Sequence, residues 1–211
     1  MRVEVWMDVV CPWCYIGRRR FESALAHFDG RDSVEVVFRS FELDPEAPRE
    51  DPRPVTEYLA AKYGMSLDAA RQANERVARI AAVEGLEFHL DTTRPCNTLD
   101  AHRILQLAGI RRVRAVVEER FQKGYFTEGA SLADPETLLR LATEAGLAEY
   151  DVRRVLAGQA FTLQVRADEK EAAERGCTGV PFFVFDGARQ VSGAQPTELF
   201  QRALHASSTA Q

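Results

Sequence analysis

Strand-forming sequence is confined to the two ends of this chain of 211 residues, and that confinement limits the fold more than any other feature. Residues 2–10 form a Val-rich apolar run of strand length, with Glu4 as the exception, and residues 34–41 alternate as a second strand. Between them, residues 12–27 read as an amphipathic helix, with Pro12 tolerated in its first turn and Asp29-Gly30 closing it. Two strands joined by a helical crossover are expected to run parallel. At the far end, residues 180–185 read as a strand, Asp186-Gly187 as a hairpin turn and residues 189–193 as the partner strand. Pro196 opens a last amphipathic helix over 196–205, and residues 206–211 read as a frayed end.

The middle of the chain has a different character. Pro45, Pro48, Pro52 and Pro54 mark a surface excursion. Helical spacing follows over residues 55–63, 66–84, 97–108 with Asn97 as cap and Gly109 as stop, 111–123, 135–145 with Asp134 as cap and Pro135 behind it, 149–157 and 162–175. No flexible linker separates these helices from the strand-bearing ends, so they form an insertion in one α/β fold. The expected organisation is a β-α-β part at 1–43, a helical insertion at 44–160 and an α-β-β-α part at 161–211, which is the plan of a thioredoxin fold with a large insertion.

Composition removes several classes of function. A net charge of −5 repels phosphate backbones, and the basic clusters Arg18-Arg19-Arg20 and Arg111-Arg112-Arg114 lie in helical pattern, where a solvated face is expected; no nucleic acid partner is indicated. No apolar stretch approaches the ~20 residues of a membrane span. Glu4 and Asp8 interrupt what would otherwise resemble a signal-peptide apolar region, so the expected location is the cytoplasm. Cysteines in a reducing compartment are more often catalytic or metal-binding than structural.

Against that background Cys11-Pro12-Trp13-Cys14 stands out. Among four cysteines a C-x-x-C arises by chance in about one chain in twenty, so its context decides. Here it lies between a strand and a helix. At the helix N-terminus the first thiol meets unpaired backbone N–H groups and the positive end of the helix dipole, which is worth at most about 2 kcal/mol to a thiolate.

The motif Asp8-Val9-Val10-Cys11-Pro12-Trp13-Cys14-Tyr15-Ile16-Gly17, together with Phe41-Glu42-Leu43-Asp44-Pro45, Asn97-Thr98, Ala101-His102-Arg103, Gly179-Val180-Pro181-Phe182-Phe183 and Gly193-Ala194-Gln195-Pro196, resembles the DsbA family and within it the FrnE-like branch, across nearly the whole chain. The resemblance implies thiol–disulfide oxidoreductase activity, with isomerisation as a candidate, toward protein or peptide thiols and disulfides. The expected cofactor is none beyond the Cys11–Cys14 disulfide itself. Glutathione is a candidate reductant, and a small thiol or a thioredoxin-type protein a candidate redox partner. Oligomeric state stays open. The same family includes 2-hydroxychromene-2-carboxylate isomerases and kappa-class glutathione transferases, so a glutathione-dependent isomerase or transferase is the alternative. Those relatives carry serine where Cys11 stands and an Asp in the turn before the last helix, where this chain has Ala194-Gln195-Pro196. Both departures favour redox chemistry.

Within the resemblance, Cys11 is the exposed nucleophile and Cys14 the buried resolving thiol. Pro12-Trp13 lacks the histidine that periplasmic DsbA has between its cysteines, which points to a less oxidising pair. Trp13 offers either a flat apolar contact for substrate or a packing residue against the insertion. Thioredoxin folds place a cis proline facing the dithiol, and Val180-Pro181 matches, with Val180 turning its backbone toward substrate. The buried carboxylate often found six residues before the nucleophile is Val5 here. Asp8 is the nearest substitute, with a structural role at the strand end or proton transfer through water as the other readings. Cys177, four residues before Pro181, is a candidate auxiliary thiol. For Cys96 and Cys177 the simpler reading is a small buried hydrophobe, and the spacing gives no metal site. His102 fits the family pattern, with structural hydrogen bonding expected.

Overall fold

The computed structural model describes residues 1–208 and divides into two compact units, one made of residues 1–43 with the chain from 166 on, the other of residues 44–165. The first unit holds β1 (Arg2–Met7), α1 (Pro12–Ala26), β2 (Glu35–Ser40), most of α8 (Thr162–Glu174), β3 (Phe182–Phe185), β4 (Arg189–Ser192) and α9 (Thr197–Ser208). The strands form one sheet in the order β2-β1-β3-β4, with β1 parallel to β2 and the other two pairings antiparallel. This is the thioredoxin arrangement expected from the sequence.

Strand alternation divides the sheet's side chains between two layers. Phe183 and Phe185 pack with Phe21 of α1 and Phe200 of α9, rings 4.7 to 6.2 Å apart, on one face. Trp6 meets Phe182 on the other face, where its indole N–H donates to the Asp168 carbonyl of α8 at 2.8 Å. Glu4 is also on this face, and it is buried. Arg39 of β2 bonds Glu4 Oε1 at 2.5 Å and Asp168 Oδ1 at 3.2 Å, while Asp168 Oδ2 accepts the Ser40 N–H at 2.9 Å. Arg175 completes the cluster, reaching Glu4 at 3.4 Å and Glu171 at 2.7 Å with its guanidinium over the Trp6 ring.

The second unit holds α2 (Val55–Tyr63), α3 (Leu67–Val83), α4 (Leu99–Ile110), α5 (Arg114–Phe126), α6 (Pro135–Glu144) and α7 (Glu149–Leu156). Its core includes Ile104, Leu105, Val117, Phe121, Leu138, Leu141 and Val152. Arg103 is buried in it and bonds the carbonyls of Val155, Gly158 and Ala160, so one guanidinium satisfies the C-terminal end of α7.

The structure corrects several expectations. The strand expected over 2–10 ends at Met7, because Asp8 begins a turn closed by Cys11 N–H to Asp8 O at 3.2 Å. The helix expected from 111 starts at Arg114, and α4 runs past Gly109; the left-handed residue between them is Arg112, at φ 60°. Thr98, and not Asn97, takes the N-cap of α4, although Asn97 Oδ1 accepts the Leu99 N–H at 2.9 Å. The 18–20 cluster is not a solvated face: Arg18 is buried over Phe38 and paired with Glu22 at 2.7 Å, and Arg20 bonds the Ala194 carbonyl at 2.8 Å. Of the end expected to fray, residues 206–208 continue α9 and residues 209–211 lie outside the described residues.

Arg39→Met removes the cation shared by two buried carboxylates. Because Arg175 still reaches Glu4, the loss weakens the pairing of the buried carboxylates without stripping it, and the variant is expected to lose roughly 2 kcal/mol, which at this chain length lowers the melting midpoint by about 5 °C in a thermal denaturation scan.

Candidate active site

Cys11 is the N-cap of α1, in extended conformation, and its carbonyl accepts the N–H groups of Cys14 at 3.0 Å and Tyr15 at 3.4 Å. Pro12 occupies the first helical position, where no N–H is required. The local sequence thus sets the helix start at the first cysteine. Contrary to expectation, Cys11 is not an exposed thiol: only 3% of it is accessible, and its Sγ faces the Val180 carbonyl oxygen at 3.6 Å. Of the four motif residues Trp13 is the exposed one, at 40%.

Cys14, wholly buried, receives the Asp8 backbone N–H on its Sγ at 3.5 Å. Burial pushes the Cys14 thiol well above its ordinary range, and the hydrogen bond and charge of Cys11 push it further. The Asp8 N–H works in the opposite direction, while the negative charge of the Asp8 side chain adds to the rise. Asp8 is itself 1% exposed, with Oδ2 accepting the Leu43 N–H at 2.8 Å. One residue therefore meets the Cys14 thiol with its backbone and the exit from β2 with its side chain. Val5, six residues before Cys11, is a buried apolar residue of β1.

The third part of the site is the turn before β3. The Val180–Pro181 bond is cis, and the Pro181 carbonyl accepts the Gly193 N–H at 2.8 Å, which ties this turn to the one that follows β4. Cys177 lies on the same loop, half-buried against the core, with its Sγ on the Gly179 carbonyl at 3.3 Å. Burial pushes its thiol up. Cys96 is in the other unit, buried, where its backbone bridges Glu50. His102 is fully buried on α4. Among the described residues no group of three or more His, Cys, Asp and Glu side chains is placed to hold a metal ion.

Two features of this geometry escaped the sequence. The Asp8 N–H contact with Cys14 depends on where β1 stops, which a Val-rich run to residue 10 conceals. Gly17, one turn beyond Cys14, lies directly under Pro181; a glycine inside a helix was the available signal.

A family model described as a DSBA-like thioredoxin domain matches residues 2–205. The chain belongs to this family. It is 48% identical to a probable DsbA oxidoreductase from Streptomyces coelicolor, whose crystal structure it matches with a TM-score of 0.97 over all of this chain and 91% of that one. A cytosolic disulfide reductase, DsbM from Pseudomonas aeruginosa, shares 17% identity and a TM-score of 0.69, with both chains fully covered. A 2-hydroxychromene-2-carboxylate isomerase shares 17% identity and a TM-score of 0.71 over 98% of this chain and 95% of that one. The last two likenesses are of fold. The family is that of the DsbA-like oxidoreductases.

The raised Cys177 thiol has a measurable consequence. At pH 8 iodoacetamide should label Cys177 more slowly in the native protein than in the denatured chain. As pH rises through the folded-state value the thiolate forms and that gap narrows. Peptide mapping after timed alkylation reads both rates.

Proposed function

We propose that this DsbA-like protein is a cytoplasmic thiol–disulfide oxidoreductase that exchanges, and can isomerise, disulfides of protein and peptide substrates through Cys11 and Cys14. The observation that carries the reading is the unequal placement of two thiols three residues apart: Cys11 at the N-cap of α1, facing the Val180 carbonyl, and Cys14 buried behind it on the Asp8 N–H.

In the reductive direction the Cys11 thiolate attacks a substrate disulfide. The substrate S–S bond breaks, a mixed disulfide forms at Cys11 and one substrate thiolate leaves. Cys14 then attacks the Cys11 sulfur, giving the Cys11–Cys14 disulfide and releasing the second substrate thiolate. The two steps are ordered by electrostatics. While Cys11 carries charge, Cys14 is held protonated; once Cys11 is in the mixed disulfide that charge is gone and Cys14 loses its proton more readily. Asp8 takes up that proton in our reading, through water, because it is the acid whose own N–H already bonds the sulfur. Val180 presents main chain for strand-like pairing with an extended substrate, and exposed Trp13 and half-buried Pro12 follow Cys11 directly in the chain.

Glutathione, with which the Pseudomonas reductase has been crystallised, is a candidate for resetting the oxidised pair. The cytoplasmic assignment takes its support from the cytosolic reductase to which the chain is similar in fold.

Cys11→Ser should abolish reduction of a protein disulfide substrate, while Cys14→Ser should accumulate a mixed disulfide visible by intact mass. The Cys11–Cys14 couple should have a reduction potential well below the about −120 mV of periplasmic DsbA, unchanged in Cys96→Ser and Cys177→Ser. Stoichiometric glutathione binding that survives Cys11→Ser, with no change in substrate reduction, would replace this reading with a glutathione-dependent isomerase or transferase.

Asp8→Asn keeps an oxygen for the Leu43 N–H but removes the base. In single-turnover mixing it should leave attack by Cys11 unchanged and slow release of the mixed disulfide on the order of a hundredfold. An Asp8 that serves the Leu43 contact alone would let Asp8→Asn match the wild type in both steps.

A further inference from the structure

Gly17 sits in the interior of α1, a helix with no other glycine. Glycine is a poor helix former, and nothing within the helix calls for it. The reason lies across the site. A Cβ on Gly17 would stand 2.8 Å from Pro181 Cγ, 3.2 Å from the Ala194 Cα and 3.3 Å from the Ala194 Cβ, and the first distance is shorter than packed atoms tolerate. Two turns therefore rest on one bare point of the helix. They are also joined to each other and to α1: Gly193 N–H donates to Pro181 O at 2.8 Å, and Arg20, three residues along from Gly17, donates to the Ala194 carbonyl at 2.8 Å. The Val180 carbonyl, 3.6 Å from Cys11 Sγ, belongs to the turn held in this way.

We propose that Gly17 is a positioning residue that sets the gap between Cys11 and the Val180–Pro181 turn, and thereby selects for extended polypeptide disulfides over small ones. The inference rests on the exchange reaction proposed above. A polypeptide must place its disulfide on Cys11 while its main chain lies along Val180, so both distances matter at once. A small aromatic disulfide makes no pairing with that main chain; it needs only the sulfur of Cys11, which a lifted Val180 carbonyl leaves more open. Lifting the turn by the few tenths of an ångström or more that a methyl group demands then weakens one class of substrate and spares the other.

Kinetics of Gly17→Ala, run beside the wild type, tests this. Each protein is reduced and reacted with a disulfide-bonded peptide and with 5,5′-dithiobis(2-nitrobenzoate), and its melting midpoint is measured. For the peptide, kcat/KM should fall roughly ten- to a hundredfold, mainly through KM, as expected for a displaced binding element. The small disulfide should react no more slowly than with wild type, since Cys11 keeps its place at the helix N-cap and the lifted Val180 carbonyl uncovers its sulfur. Arg20→Met, which frees Ala194 without adding bulk to the helix, should shift the same ratio in the same direction by a smaller factor, and it keeps the test open if Gly17→Ala does not fold. Equal losses on both substrates would make Gly17 a requirement of folding alone and overturn the proposal, as would unchanged kinetics on both in either folded variant. A wild-type protein that exchanges with neither substrate refutes the exchange reading itself, an outcome separate from any difference between variants.

Discussion

The antiparallel pairing of β1 with β3, Val3 against Phe185 and Trp6 against Phe182, determines what can happen at this site. It joins the strand that delivers Cys11 to the strand preceded by Val180 and Pro181, so two stretches at opposite ends of the sequence meet at one end of the sheet. Register is decisive because a shift by one residue would turn Phe183 and Phe185 away from Phe21 and Phe200 and expose the apolar set. The aromatic packing that stabilises the sheet is thus also what aligns the Val180 carbonyl with the Cys11 sulfur. Stability and site geometry share one cause here.

The opposite face of the same sheet solves a different problem. Glu4, Asp168 and Glu171 are balanced by Arg39 and Arg175, and the indole of Trp6 is both hydrogen-bonded and covered by a guanidinium. Burying such groups is costly unless each is paired, and the pairing found here locates α8 in one position on the sheet. The neighbouring backbone is caught by carboxylates as well: Ser40 by Asp168, Glu42 by Glu169 and Leu43 by Asp8. The end of β2 is accordingly held by acids from two different elements, one of them the residue that also touches Cys14.

How much of this the sequence displayed depends on the range of the interaction. The β-α-β start, the helix opening at Pro12 and the hairpin at Asp186-Gly187 are local signals, and each appears where expected. Caps are equally local, as Asp134 accepting the Thr137 N–H shows. Glu4 reads as an exception in its strand because its partners Arg39 and Arg175 come from another strand and from far along the chain. Arg18 looked like part of a charged face because Phe38, beneath it, belongs to another strand. The near-complete burial of Cys11 was hidden for the same reason, since the Val180 carbonyl that faces it arrives only with the fold. A family motif names the thiols; it says little about which carbonyl faces each one.

That difference bears on the chemistry. In the exchange proposed above, a fully exposed nucleophile would treat all disulfides alike, whereas one as covered as Cys11 favours substrates whose backbone can replace the protein groups around it. Exposure at the motif falls instead on Trp13, an aromatic surface suited to apolar peptide contact and one that costs little conformational entropy to order. Cys14 contributes a second filter through its burial. Burial raises its thiol and a charge on Cys11 raises it further, so in the exchange proposed above Cys14 gives up its proton more readily once Cys11 is bonded to a substrate sulfur. Selection at Cys11 and timing at Cys14 therefore follow from one arrangement, two thiols on a helix N-terminus with different amounts of protein around them.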